Sequence, residues 1–165
     1  MGAGKSTIGK VLAELLHMEF YDSDREIEES TGADIPWIFD VEGERGFRER
    51  EIRMVDTLSR KKGIVMATGG GAILAKKTRK RLHKRGTVVY LRATIAQQIE
   101  RTSRDKNRPL LQTPDPKETI RQLMEQRDPL YQEIADITVE TNRRSARAVS
   151  KEIAKQLSRI KSEGS

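Results

Sequence analysis

The chain opens on Gly2-Ala3-Gly4-Lys5-Ser6-Thr7 and runs without a break into Ile8-Gly9-Lys10-Val11-Leu12-Ala13-Glu14-Leu15-Leu16. In the second part Ile8, Val11, Leu12, Leu15 and Leu16 recur at helical spacing. A glycine-rich turn that feeds a helix is a seat for an anion. Glycines let the backbone curl so that successive N–H groups face inward, and the helix N-terminus adds partial positive charge at the same point. The segment is the back half of the pattern G-x-x-x-x-G-K-[ST]. Lys5 then bridges the β- and γ-phosphates of a nucleotide, and the Ser6 hydroxyl ligates Mg²⁺. Gly2, Ala3, Gly4, Lys5, Ser6 and Thr7 are the expected nucleotide-binding residues. The first glycine of the pattern would precede Met1.

Outward from this loop, strand and helix signals alternate. Glu19 to Asp22 reads as a short strand ending in an acidic turn, and Asp24 to Ser30 as a helix capped near Ser23 or Asp24. Pro36 starts a short helical piece, and Glu44 to Arg60 is a longer charged helix with Phe47, Ile52, Val55 and Leu58 inward. The apolar run Ile64 to Ala67 before Gly69-Gly70-Gly71 reads as a buried parallel strand. Further helices are expected over Lys76 to Lys84, Thr94 to Ser103, Lys117 to Arg127 and Ser145 to Ile160. Strands are expected over Thr87 to Leu91 and Ile137 to Thr141, with a frayed tail from Lys161 to Ser165. Such alternation predicts an α/β fold, a parallel sheet with helices on both faces, in one domain spanning 1–165.

Composition narrows the function. The chain has 165 residues, no cysteine, 35% charged residues and a net charge of +7. Thiolate chemistry, disulfides and cysteine-ligated zinc are excluded. No apolar run is long enough for a membrane span and no signal peptide opens the chain, so a cytoplasmic location is expected. The positive charge suits either nucleic acid or a small anionic ligand. With only 4% aromatic residues there is no stacking platform for single-stranded bases. We therefore expect no nucleic-acid partner and no membrane partner, and a monomer, since no segment reads as an apolar interface.

Read singly, the other polar clusters stay ambiguous. Asp22 and Asp24 at a strand end are either ligand-binding carboxylates or a solvated helix cap. Arg48 and Glu51, three apart on a helix, are either an exposed ion pair or a site. Gly69-Gly70-Gly71 is a tight turn or a place where backbone meets a ligand. Arg127 is either a ligand cation or a helix-end arginine facing the macrodipole.

Taken together, six segments in order resemble the shikimate kinase family over nearly the whole chain: GAGKST at Gly2, FYDSD at Phe20, GFRERE at Gly46, ATGGG at Ala67, RPLL at Arg108 and RDPLY at Arg127. The resemblance implies a three-layer P-loop fold with substrate-binding helices over about 24–60 and a lid over about 104–116. It implies transfer of a phosphoryl group from ATP, with one Mg²⁺, to the 3-hydroxyl of shikimate, on the route to chorismate and the aromatic amino acids. By the same resemblance Asp22 helps hold the Mg²⁺ shell, and Asp24 binds shikimate hydroxyls and is the candidate base. Arg48 and Arg127 grip the shikimate carboxylate, with Glu51 positioning Arg48. Gly70 meets shikimate through its backbone, while Gly69 and Gly71 make room. Arg108 closes over the phosphates and Lys5 and Arg108 stabilise the transferring group, while Arg101 and Arg144 flank the adenine.

His17 and His83 match nothing catalytic, and Trp37 is expected to pack among the substrate-binding helices. The family places a buried central strand ahead of the loop, between the strands at Ile64–Ala67 and Thr87–Leu91, and here it is missing. We therefore expect the functional protein to begin upstream, and a chain made from Met1 alone to fold poorly or to be nearly inactive, because unpaired buried backbone groups cost on the order of 1–3 kcal/mol each.

Overall fold

In a computed structural model the chain is described over residues 4–102 and 113–163. The elements run α1 (Lys5–Leu16), β1 (Glu19–Asp22), α2 (Ser23–Thr31), α3 (Ile35–Ser59), β2 (Ile64–Ala67), a 3-10 turn (Ala72–Leu74), α4 (Lys76–Arg85), β3 (Val89–Arg92), α5 (Ile95–Thr102), α6 (Pro116–Ile134), β4 (Ile137–Glu140) and α7 (Ala146–Glu163). All strand pairing is parallel, as helical crossovers require. β1 lies on β2 in the register Glu19 to Ile64 through Asp22 to Ala67, and β3 lies on β4 in the register Val89 to Ile137 through Arg92 to Glu140.

The two pairs do not join into one sheet among the described residues. Between β2 and β3 lies a cleft of about 860 Å³, lined by Val65, Met66, Val89 and Leu91 from the strands and by Leu12 and Leu157 from the helices. The cleft corrects the reading of Ile64 to Ala67 as a buried strand. Ile64, Val65 and Met66 are only half-buried because their second edge borders the cleft.

Apolar residues gather into two clusters. The first joins α1, α7 and β4 through Ile8, Leu12, Ile137, Val139, Val149 and Ile153. The buried Ser150 hydroxyl donates to the Ile8 carbonyl at 3.0 Å and pins the two helices together. The second cluster, Ile27, Ile35, Ile38 and Phe47, locks α2 against α3. The helix-helix geometry that aims the polar residues of α2 and α3 at one another rests on this second cluster.

Local chemistry explains where elements begin and bend. Asp22, not Ser23 or Asp24, caps α2, accepting from the Asp24 N–H at 3.0 Å and the Arg25 N–H at 3.4 Å. Asp34 caps α3 from Trp37 N–H at 2.9 Å, with Pro36 in the first turn. The two helices expected on either side of Gly43 are continuous apart from a kink at that residue, whose φ of 72° only glycine adopts readily. The helix expected to stop at Arg127 continues to Ile134 through Pro129. One proline removes one N–H donor, to the carbonyl four residues earlier, and the rest of this 19-residue helix outlasts that loss. β3 starts at Val89 rather than Thr87, because Val88 turns its carbonyl to the N–H groups of Asp136 and Ile137. α7 reaches Glu163, further than the frayed tail we expected. Trp37 is also a correction: it is 60% exposed, on the outer face of α3 beside Val41, while Ile35 and Ile38 turn inward.

Ile27 is 1% exposed at the centre of the second cluster. Ile27→Ala is expected to lower stability by about 2–5 kcal/mol in urea denaturation, from lost transfer energy plus a residual cavity.

Candidate active site

At one end of the site α1 begins on Gly4, which caps the helix in the left-handed region at φ 75°. The first N–H groups of a helix have no partners within it, so this end attracts anions. Arg101 from α5 lies against the same point: a β-carbon on Gly4 would sit 3.1 Å from its Nη1. Lys5 starts the helix, and Ser6 Oγ donates to Asp22 Oδ2 at 2.5 Å. Asp22 therefore holds Ser6 with one oxygen and caps α2 with the other. A hydroxyl and a carboxylate so close are hard oxygen donors of the kind Mg²⁺ takes.

The other end is built from α2, α3, α6 and the glycine turn after β2. Asp24 stands in the first turn of α2, two residues after the cap. A β-carbon on Gly69 would lie 2.8 Å from Asp24 Oδ1, and one on Gly71 would lie 2.3 Å from Arg48 Nη1. Those two glycines are thus the space that the Asp24 carboxylate and the Arg48 guanidinium occupy. Arg48 Nη1 donates to Glu51 Oε1 at 2.9 Å, and its guanidinium lies 5.4 Å from the centre of the Phe47 ring. Arg127, on α6, is 4% exposed. Tyr131, one helical turn on, donates its hydroxyl to the Gly70 carbonyl.

The electrostatics of this end are those of charges withdrawn from water. Burial pushes the Glu51 carboxyl above its ordinary range, and the pull of Arg48 and Arg127 only partly offsets it. Burial likewise lowers Arg127, with the nearby Arg48 adding to the effect. The Nε–H groups of Arg48 and Arg127 are both buried and have no hydrogen-bond partner. Buried donors are nearly always satisfied, so a pair of orphaned guanidinium N–H groups in one pocket asks for an acceptor from outside. An anion with a planar pair of oxygens is the natural fit.

The structure thus brings together Lys5, Ser6, Asp22 and Arg101 at one end and Asp24, Arg48, Glu51, Gly69, Gly70, Gly71 and Arg127 at the other. Thr7 lies on the same first turn of α1. Arg144 bonds Glu152 and, at 3.2 Å, the Glu140 carbonyl. Gly2, Ala3, Arg108 and the lid residues up to 112 lie outside the described residues. His17 is exposed and closes α1 at φ 55°, and His83 is exposed on α4. Sequence reasoning passed over Tyr131. The signal was its position four residues after Arg127, visible only once the helix is carried through Pro129.

A phosphate-seating helix start, an acceptor pocket beside it and parallel strands linked by helices define a P-loop phosphotransferase of small molecules. A family model described as "Shikimate kinase" matches residues 1–158, and the chain belongs to that family. The shikimate kinase of Vibrio cholerae is 60% identical over 157 residues, which cover 95% of this chain and 90% of that protein. The shikimate kinase of Shewanella denitrificans is 59% identical, covering 95% and 92%. Among solved structures, the shikimate kinase from Acinetobacter baumannii in complex with shikimate superposes with a TM-score of 0.96 at 52% identity, over 98% of this chain and 90% of that one. A gluconokinase from Sinorhizobium meliloti, at 16% identity and a TM-score of 0.62, over 97% of this chain and 88% of that one, shares the fold alone.

The Glu51 shift has a consequence for stability. Its folded pKa lies above the unfolded one, so the stability it contributes is full below the unfolded value and is lost as pH rises through the folded value. Glu51→Gln removes that dependence. Relative to the parent, the variant is expected to gain stability as pH is raised from acid to mildly alkaline, measured by paired urea melts across that range; a parent that gains on the variant instead would contradict the burial argument.

Proposed function

We propose that this chain performs the reaction of its family, ATP-dependent phosphorylation of the 3-hydroxyl of shikimate, with the residues assembled above. The reading is carried by the half-buried Arg48 and the buried Arg127, whose buried Nε–H donors lack partners beside Asp24 and the glycine turn. Shikimate supplies what that pocket wants: one carboxylate for the two arginines and hydroxyls for Asp24. Two planar cationic forks against one carboxylate also select against neutral acceptors. Other small-molecule kinases share the phosphate loop, and this paired-arginine pocket is the feature that discriminates.

In the reaction the bond between the γ-phosphorus and its bridging oxygen breaks as the shikimate oxygen bonds to phosphorus. The hydroxyl proton passes to the Asp24 carboxylate. Lys5 and the N–H groups at the start of α1 hold the phosphates, with Gly2, Ala3, Gly4 and Thr7 shaping the loop. Arg108 adds positive charge where the transition state spreads negative charge, and Arg101 flanks the adenine. Arg144 is assigned to the adenine rim. Mg²⁺, when bound by Ser6 and Asp22, neutralises phosphate charge. Closure of the lid over about 104–116 keeps water from taking the phosphoryl group. The chain acts as one domain and a monomer in the cytoplasm. Its lack of cysteine suits that compartment, and no described helix is long and apolar enough to cross a membrane. An assay coupled to ADP release, run in parallel with shikimate, gluconate and CMP, tests the substrate; turnover with shikimate alone is expected.

Arg48→Ala and Arg127→Ala should each weaken shikimate binding by roughly 2–5 kcal/mol, the range for truncating one partner of a desolvated charge pair, while ATP affinity stays near the parent's. Calorimetric titration with each ligand checks this, and equal losses for both ligands would refute the assignment. Lys5→Ala should abolish phosphoryl transfer yet leave shikimate binding in place, since Lys5 meets the nucleotide and not the acceptor. Turnover near the parental rate in that variant would overturn the phosphate-loop reading.

A further inference from the structure

We infer that Tyr131 is a positioning residue for the acceptor: its hydroxyl joins the Gly70 backbone to the Arg127 guanidinium and sets both at once. The inference rests on the reading of Gly70 and Arg127 as shikimate contacts. A phenol has one proton to donate and lone pairs to accept with. Here the proton goes to the Gly70 carbonyl, which leaves the oxygen's lone pairs to accept from Arg127, one helical turn back on α6. Arg127 is buried, its Nε–H has no partner, and Tyr131 is four residues along the same helix. The guanidinium of a buried arginine with so few fixed contacts has several orientations open to it, and the Tyr131 oxygen removes that freedom. The same oxygen fixes the carbonyl of Gly70, the central residue of the turn whose flanking glycines leave space for Asp24 and Arg48.

The ring is itself held. Tyr131 packs on Tyr90 of β3 with centroids 4.8 Å apart and planes tilted by 36°. Tyr90 in turn donates to Asp128 Oδ1 at 2.6 Å, and Gln132 donates to Asp128 Oδ2 at 2.8 Å. Sheet, aromatic pair and α6 therefore form one brace, with the Tyr131 hydroxyl at its tip. The contacts of this brace are made by β3, α6 and the glycine turn. Loss of the hydroxyl should act on the acceptor and spare the nucleotide.

Tyr131→Phe tests this, since it keeps the ring and its packing and deletes only the oxygen. The expected result is a KM for shikimate raised about tenfold or more, the scale of a hydrogen bond to a charged group, with the KM for ATP and the melting temperature near the parent's. The companion measurements are Arg127→Ala and the double variant. If Tyr131 works through Arg127 and Gly70, the oxygen's deletion has a smaller effect on the shikimate KM in the Arg127→Ala background than in the parent. Equal increases in KM for ATP and shikimate, or a lowered melting temperature with an unchanged shikimate KM, would show a merely structural role and overturn the inference. An Arg127→Ala variant that loses shikimate affinity beside a Tyr131→Phe variant that does not would sink the inference and leave the reading of Arg127 standing. An Arg127→Ala variant with parental shikimate affinity would sink both.

Discussion

One carboxylate, that of Asp22, holds the two halves of the site in register. Its Oδ2 takes the Ser6 hydroxyl at the start of α1, and its Oδ1 takes the Asp24 N–H at the start of α2. The helix that begins at Lys5 and the helix that carries Asp24 are thereby tied to the last residue of β1. In a parallel sheet the strand ends and helix starts already crowd together on one side, which is why ligands bind there. Asp22 turns that crowding into a defined geometry. A metal shared between Ser6 and Asp22 would draw on donors that the fold has already brought within hydrogen-bond distance.

The acceptor end is organised by a different constraint, the cost of burying charge. Glu51 is 2% exposed and Arg127 4%, and Glu51 is held by the Arg48 guanidinium at 2.9 Å. Buried pairs of this kind contribute little net stability, because desolvation offsets the Coulomb attraction. Their value here lies in what is left unsatisfied. Charges partly withdrawn from water interact more strongly than the same charges in bulk solvent. The glycines at 69 and 71 make the arrangement possible, since any β-carbon there would occupy the space of Asp24 or Arg48. Tyr131 closes the pocket from the α6 side and links it to β3 through Tyr90.

The cleft between β2 and β3 separates two parallel pairs that are each only two strands wide. Helices bridge it: α1 and α7 share the apolar cluster that includes Ile137 and Val139 of β4, and α1 also packs on β2. The polar residues of the site come from strand ends, helix starts and α6. None of Asp24, Arg48, Glu51 or Arg127 lies on a strand.

Much of this was legible in the chain itself. Local rules suffice for α1, with its five apolar residues at helical spacing, for Asp34 before Pro36, and for the short apolar strand before three glycines. The motif GAGKST is local too, since its chemistry depends on backbone curvature and one helix end. The convergence of Arg48, Glu51, Gly69–Gly71 and Arg127 is another matter. These residues lie up to 79 positions apart, and read singly each had an innocent explanation; only the packing of α2, α3 and α6 around one turn makes them a pocket. Asp22 as the cap, Trp37 as an exposed residue and the continuation of α6 through Pro129 were likewise settled by tertiary structure. The physical reason is the same in each case. Propensity and motif act over one turn of chain, whereas burial, charge pairing and the space left by a missing β-carbon are properties of neighbours that the chain's order does not reveal.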